Sequence, residues 1–329
     1  MNHPLIDRLQ NFTLDKKILS IDSNDRDISK WPNSSEFEIS CPQNYSNVES
    51  IRLVNIQTQN KFYNISEYLQ NNKLILDFSS GFLYEIKLND GFYNETQLQN
   101  SLNYIFQGIN AGFIVKFNEV NRKMYFGHPT TSFILKFTEN ISYNNNNCTL
   151  NNYNNIYSQH SKWGLGAILG FDKTIYISNN SNTNNRFQYE TSDWINSSSY
   201  IIEAPKNIDL NENEQIFIEV EKLNKSDEIK PYIVDKINNT NSGIVNSFFA
   251  KTPIITCQSN QSINNKECYI EGVSYFQPPL DRISKLKIKI RYHNGMLVNF
   301  NNSNVQLTFE MNQIHNEMNN YEVRKPFVL

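Results

Sequence analysis

The stretch from Ile18 to Phe78 constrains the fold of this chain more than any other part of the sequence. Polar and apolar residues alternate in Glu36–Ile39 and in Lys73–Phe78, with the period of two that is typical of half-buried strands. Ser50–Ile56 carries a further strand signal, and the turn-forming residues between Pro42 and Asn47 predict a break before it. Because no segment here has helical periodicity, the stretch predicts several strands joined by turns.

A series of short motifs begins in the same stretch and continues along the chain. The motifs are Ile21–Asp27 (IDSNDRD), Trp31–Ile39 (WPNSSEFEI), Asn47–Leu53 (NVESIRL), Phe62–Ile65 (FYNI), Asn71–Leu74 (NNKL), Asp90–Tyr93 (DGFY), Leu169–Phe171 (LGF) and His293–Gly295 (HNG). In this order they resemble the motifs of capsid-associated structural proteins of the nucleocytoplasmic large DNA viruses, the giant-virus group. The matching motifs are spread over most of the chain, and the resemblance implies no catalytic residue.

The resemblance implies a function and a location. It implies a minor capsid protein that cements, or lies beneath, the array of major capsid protein in a large icosahedral double-stranded DNA virus. The expected partners are the double-jelly-roll major capsid protein and other minor capsid proteins, together with further copies of the chain. The expected location is the virion capsid, assembled in the host cytoplasm.

Two other functions remain open at this point. One is a penton protein, which would form a fivefold ring at a vertex; a single compact jelly roll would suit that role better than two domains. The other is a carbohydrate-binding or fibre-like attachment protein, because exposed aromatic side chains could stack on sugars. Binding to a glycan array would favour the attachment protein, whereas association with capsid protein would favour the shell component.

The predicted fold class is all-β, with two β-sandwich or jelly-roll-like domains and one capped helix at about 94–107. Residues 178–187 are small and polar and resemble a linker. The predicted divisions are an N-terminal arm at 1–16, a first β domain with the helix at 17–177, the linker at 178–187, a second β-sandwich domain at 188–312 and a C-terminal tail at 313–329. The arm and the tail could each dock on a neighbouring subunit or remain disordered.

The predicted helix has both end signals. Asn94 is a good N-cap residue, and Gln97 follows at the capping-box spacing. A buried stripe follows at helical spacing: Leu98, Leu102, Ile105 and Phe106. Gly108 lies just beyond the stripe, where a C-terminal cap is expected.

The predicted loops include Asn140–Gln159 and Asn224–Asn246.

A hairpin is predicted near the C-terminus. Two sets of residues face opposite ways on its first strand: Leu286, Ile288, Ile290 and Tyr292 on one side, and Lys287, Lys289 and Arg291 on the other. Asn294-Gly295 predicts a type I′ turn. The basic row is interpreted as a solvated strand face or a guard against edge pairing, with a grip on nucleic acid as the alternative.

The net charge and the absence of certain motifs argue against a nucleic-acid-binding protein, a membrane protein and an enzyme. The formal net charge of -3 gives no basic field for nucleic acid, so direct nucleic-acid binding is not expected. No run of about 20 apolar residues exists, so no transmembrane segment is predicted. The sequence has no nucleophile elbow, phosphate-binding glycine loop or H-E-x-x-H motif. We therefore predict a protein without enzymatic activity and without catalytic, cofactor-binding or metal-binding residues.

The candidate metal ligands are poorly placed for a site. Asp22–Asp27 fails the calcium-loop pattern at several positions, and is interpreted as a turn in which aspartates cap backbone amides and Arg26 pairs with one of them. The scattered histidines are His3, His128, His160, His293 and His315, and the cysteines are Cys41, Cys148, Cys257 and Cys268. Cys257 and Cys268 could form a disulfide across a hairpin or remain free thiols.

Overall fold

The computed structural model describes residues 12–59, 62–78, 82–138, 141, 143, 156–160, 162–181, 186–187, 189–210, 215–229, 245–253, 262–264 and 272–316. The strands are β1 Phe12–Asp22, β2 Glu36–Gln59, β3 Lys73–Phe78, β4 Leu83–Lys87, β5 Ile114–Asn118, β6 Lys123–His128, β7 Phe133–Lys136, β8 Ile175–Ile177, β9 Asn179–Ser181, β10 Ser199–Glu203, β11 Gln215–Val220, β12 Ser226–Ile229, β13 Val245–Phe248, β14 Ala250–Pro253, β15 Ser262–Asn264, β16 Val273–Tyr292 and β17 Val305–Asn316. The helices are α1 Glu95–Ile109, α2 Ile156–Gln159 and α3 Leu165–Ile168. Strands dominate, which confirms the predicted all-β class.

The chain divides into two compact units in an order that differs from the predicted one. Unit 1 contains the described residues 12–59, 215–228 and 245–316, whereas unit 2 contains those from 62 to 210 together with Ile229. Strands from opposite ends of the chain meet in unit 1, since β1 pairs with β17 over its whole length of 11 residues. Unit 2 is thus an insertion, and the predicted tandem order with a linker at 178–187 is corrected. That linker contains strand β9, and residues 12–16 and 313–316 lie in strands rather than in an arm and a tail.

Unit 1 is built on one antiparallel sheet with the order β1-β17-β2-β16-β11-β14, to which β15 adds on β2. Strand β2 runs for 24 residues and continues through the predicted break at Pro42. Where the sequence predicts a turn, the strand is irregular instead of broken: Asn47 has a φ of 52°, and the β2–β16 register shifts nearby. Strand β14 is the last in the order, as its Pro253 predicts.

Unit 2 has two four-stranded sheets, β4-β3-β7-β8 and β5-β6-β10-β9. Both contribute to a single core that also receives helix α1. Fully buried members include Leu74, Leu76, Ile86, Leu98, Leu102, Phe106, Val115, Met124, Phe126, Phe133 and Leu135. The capping box of Asn94 and Gln97 is confirmed, but the helix continues through Gly108 and ends at Ile109, with Asn110 as the C-cap residue.

Three local predictions need correction. The predicted loop at Asn140–Gln159 ends in helix α2, and the one at Asn224–Asn246 contains β12 and the start of β13. The hairpin turn has three residues rather than two: the Gly295 amide donates to the Tyr292 carbonyl and the Tyr292 amide to the Met296 carbonyl. Gly295 has a φ of 90°, whereas Asn294 is not among the residues with positive φ, so the turn is not type I′.

Candidate interaction surfaces

The Asp22–Asp27 turn is held together by its own side chains. Asp22 accepts a hydrogen bond from the Asn24 amide at 2.8 Å, as the capping interpretation predicts. Arg26 pairs with no aspartate there; its guanidinium donates to the carbonyl oxygens of Ser23, Trp31 and Pro32 at 2.6, 2.8 and 3.0 Å. The motif residues therefore stabilise a turn.

The asparagine motifs of unit 2 act in the same way. The Asn64 side chain bonds both the carbonyl and the amide of Tyr93, each at 2.8 Å. The Asn72 amide donates to the Leu88 carbonyl at 3.1 Å, and the Asp90 carboxylate accepts from the Glu67 amide at 2.8 Å. These side chains are used to hold loops against strands, which is a structural role.

An outward-facing patch lies on the edge strand of unit 1. We call it the β1 surface and define it by Leu14, Lys16, Ile18 and the neighbouring Glu310 and Arg52. Leu14 and Ile18 are 60% and 58% exposed, while Leu19 and Ile21 point inward and are buried. Among the described residues β1 pairs only with β17, so its other edge presents backbone donors and acceptors.

Charged residues form the centre of the β1 surface. Arg52 grips the Glu310 carboxylate with two hydrogen bonds of 3.0 Å, and Lys16 approaches the same carboxylate at 2.7 Å. Register places Ile18 directly opposite Glu310, and Lys16 opposite Asn312. The hydrogen bonds from Arg52, reinforced by Lys16, lower the pKa of Glu310. The patch thus combines exposed aliphatic side chains with a fixed ion-paired centre.

A second charged cluster lies on β16 and β11 of the same sheet. Arg291 is fully buried, and it donates to Glu219, to Glu228 at 2.7 Å and to the Tyr292 carbonyl at 3.1 Å. His293 contacts the other oxygen of Glu228. Burial alone would lower the pKa of the Arg291 guanidinium, but the hydrogen bonds with Glu228 and Glu219 outweigh it and raise the pKa. The predicted solvated basic row is therefore wrong at Arg291.

The other histidines that the structure describes, and Cys41, do not form a common cluster. The buried His128 ring accepts a 2.9 Å bond from the Thr131 amide, and burial lowers its pKa. His315 Nε2 lies 3.6 Å from the Asp15 carboxylate oxygen Oδ2. Within the described ranges no group of three or more histidine, cysteine or acidic residues could hold a metal ion. Cys41 is a free thiol whose pKa is raised by burial, and Cys148, Cys257, Cys268 and His3 lie outside the described residues.

A segment rich in aromatic residues covers β6 in unit 2. We call residues 186–187 and 189–197 the aromatic strap. The ring of Phe187 stacks with the rings of Tyr189 and Trp194, at centroid distances of 6.0 Å each, and the ring of Tyr125 of β6 approaches Phe187 at 4.9 Å. Glu190 pairs with Lys116 of β5 at 2.8 Å. Sequence reasoning missed the strap because it assigned this segment to the linker and the start of a second domain.

Two cavities lie in unit 2. One of about 430 Å³ is lined by Ile114, Pro129, Asp193, Trp194, Ile195, Asn196 and Ser197. The other, of about 260 Å³, is lined by Lys162, Ala167, Gly170, Phe171, Asp172, Lys206, Asn207, Ile208 and Asp209. Lys206 and Asp172 form an ion pair at the second cavity, so these two of its charges are matched within the chain.

Comparison with known proteins gives one structural similarity of note. No protein-family model matches the chain, and no curated protein matches it. Among the solved chains that match is a crystal structure of selenomethionine-labelled mavirus penton protein, with 11% identity, a TM-score of 0.42, and coverage of 91% of this chain and 99% of that one. A similarity at this level carries no argument about the present chain. In the part of the chain that is described, no helix is both long and apolar enough to cross a membrane.

Proposed function

We propose that the chain is a non-enzymatic structural protein of a viral capsid. Within that class, the sequence resemblance favours a minor capsid protein that cements or underlies the major capsid protein array of a large icosahedral double-stranded DNA virus. The resembling motifs support this proposal, because their polar residues hold turns and loops by bonding backbone atoms. Side chains used in this way produce a rigid scaffold for contacts with other subunits.

The observation that carries the proposal is the β1 surface. An edge strand can accept a strand from another chain, and exposed aliphatic side chains beside it supply apolar area for the contact. Strand β1 presents Leu14 and Ile18 on 11 residues of strand, which is long for a sheet edge. The expected occupant is the major capsid protein or another capsid subunit, with self-association as the alternative.

A penton protein is the second candidate, and the insertion of unit 2 favours it. Strands β1 and β17 complete unit 1, so the segment that forms unit 2 is an insertion in the chain of a β unit that is otherwise closed on itself. A vertex ring needs one body that repeats around a fivefold axis through head-to-tail contacts. The isolated chain would then form pentamers, whereas a cementing protein would stay monomeric until it meets the array.

The test is co-assembly of the full chain with major capsid protein, measured by sedimentation. The double variant Leu14→Ser/Ile18→Ser should lose about tenfold or more in binding, because the apolar contact area is removed. Ile28→Ser is the matched control, since Ile28 is 59% exposed but lies in the turn after β1 rather than on the β1 surface. Equal binding by the double variant and the control would overturn the assignment of the β1 surface, and failure of the parent chain to bind any capsid protein would overturn the proposed function.

A further inference from the structure

We propose that the cavity beside Trp194 binds a neutral saccharide. The site is separate from the β1 surface and goes beyond the proposed structural role. It lies where the end of the aromatic strap meets Ile114 of β5 and Pro129. Its volume of about 430 Å³ falls in the range of roughly 300–1,000 Å³ that is usual for small-ligand sites.

The first reason is that the ring of Trp194 is held in place before any ligand arrives. It stacks on Phe187 with an interplanar angle of 18°, and Tyr125 meets it edge-on at 6.0 Å. Gly127 completes the support: a Cβ there would lie 2.9 Å from Trp194 Cη2 and 2.5 Å from Ile195 Cδ1, so only glycine lets the strap lie this close to β6. An aromatic ring fixed in this way loses little conformational entropy when a ligand stacks on it.

The second reason is the chemistry of the lining. The negative face of an indole attracts the weakly positive C–H groups of a sugar ring. Asp193, Asn196 and Ser197 bring a carboxylate, an amide and a hydroxyl to the same cavity. These groups donate and accept hydrogen bonds, as the alternating donor and acceptor roles of sugar hydroxyls require. An aromatic face beside a few polar groups that point to the same cavity is therefore suited to bind a saccharide.

The third reason concerns charge and selects among saccharides. Among the described residues that line the cavity, Asp193 alone is charged, and it is exposed. A carboxylate repels sialic acid and sulfated sugars, so the ligand class is neutral hexoses and N-acetylhexosamines. A cavity that simply results from imperfect packing would bind neither class.

The experiment is a glycan array probed with the full chain, followed by titration with the methyl glycoside of the best neutral hit. We expect binding to neutral glycans and none to their sialylated or sulfated counterparts. Trp194→Ala should weaken binding about tenfold or more. Tyr189→Ala is the matched control, because Tyr189 also stacks on Phe187 but does not line the cavity.

A second variant keeps the test decisive if Trp194→Ala disturbs the strap. Asn196→Ala/Ser197→Ala changes two exposed side chains at the cavity and should reduce neutral-glycan binding at least about fivefold while the melting temperature stays the same. The proposal is overturned if no neutral glycan binds, if anionic glycans bind as well as neutral ones, or if the double variant binds like the parent.

Discussion

The two charged clusters of unit 1 use the same residue types in different surroundings. Arg291 is fully buried and bonded to Glu219, Glu228 and a backbone carbonyl. Arg52 also binds a carboxylate, that of Glu310; Glu310 is only 8% exposed, but the Arg52 side chain is 34% exposed and exposed aliphatic residues flank the pair. One cluster is closed by its own chain, whereas the other lies at a surface that another chain can reach.

The difference in burial indicates that one cluster stabilises the fold of unit 1, whereas the other is placed for contacts with other chains. A buried ion carries a large desolvation cost, so it persists only with a complete set of partners and its loss is expensive. The Glu310 carboxylate is also buried, but its partners Arg52 and Lys16 are 34% and 57% exposed, so water and salt reach the pair and it contributes less to folding than a fully enclosed one. The Arg291 cluster therefore serves the internal stability of unit 1, and the β1 surface is free to serve contacts with neighbours.

The largest expected effect comes from breaking the buried cluster. Arg291→Met should lower the free energy of unfolding by about 3–5 kcal/mol, because it leaves Glu219 and Glu228 without their shared partner. Denaturant unfolding followed by circular dichroism measures the change. The control is Arg282→Met. Arg282 lies on β16, as Arg291 does, but it is exposed and bonds only to Asn44 of β2 among the described residues, so its loss should cost less than about 0.5 kcal/mol. Equal costs for the two variants would contradict the comparison.

The matched change in the open cluster should be smaller. Arg52→Met removes the bidentate partner of Glu310 but leaves Lys16 beside the carboxylate. We expect a loss of about 1–2 kcal/mol, measured under the same conditions, because Glu310 is buried but keeps the charge of the exposed Lys16 as a partner. A cost as large as that of Arg291→Met would mean that the open pair is a folding determinant.

The pH dependence of stability should reveal Glu310. Its pKa in the folded state lies below the ordinary value of 4.5, so it contributes stability above that value, and the contribution is lost as pH falls through the lowered pKa. Glu310→Gln should therefore flatten this part of the profile of unfolding free energy against pH. A profile that is identical in parent and variant would show that the pair does not act on stability.

The smallest effect on folding is expected at the two exposed aliphatic residues. Leu14→Ser/Ile18→Ser should change the free energy of unfolding of the isolated chain by less than about 0.5 kcal/mol, since both side chains are already in water. Thermal unfolding of the double variant beside Ile28→Ser measures this. A clear destabilisation would indicate that the patch packs within the chain rather than against a partner.

Local structure could be predicted well where periodicity and caps decide it. The capping box of Asn94 and Gln97 and the inward face of Leu286–Tyr292 follow from short-range rules. The failures come from contacts distant in sequence. Arg291 is buried because β12 brings Glu228 to it, and residues 178–187 contain a strand because β10 pairs with β9. No local pattern encodes either partner.

The candidate surfaces were less predictable than the strands. Neither Leu14 nor Ile18 differs by residue type from the buried Leu19 and Ile21; the two pairs point to opposite faces of β1, and the sequence does not show which face the rest of the chain covers. The aromatic strap depends on Gly127, whose missing side chain makes room for Trp194. The sequence shows a glycine in an alternating strand, but the segment that lies over it is about 60 residues away.

A density map of the intact virus particle tests the central claim most directly. We expect the chain within the shell, with Leu14 and Ile18 of the β1 surface covered by a neighbouring capsid subunit. Density at the fivefold vertices would select the penton assignment, and density along or beneath the major capsid array would select the cementing one. A particle that lacks the chain, or that carries it with the β1 surface open to solvent, would contradict the account.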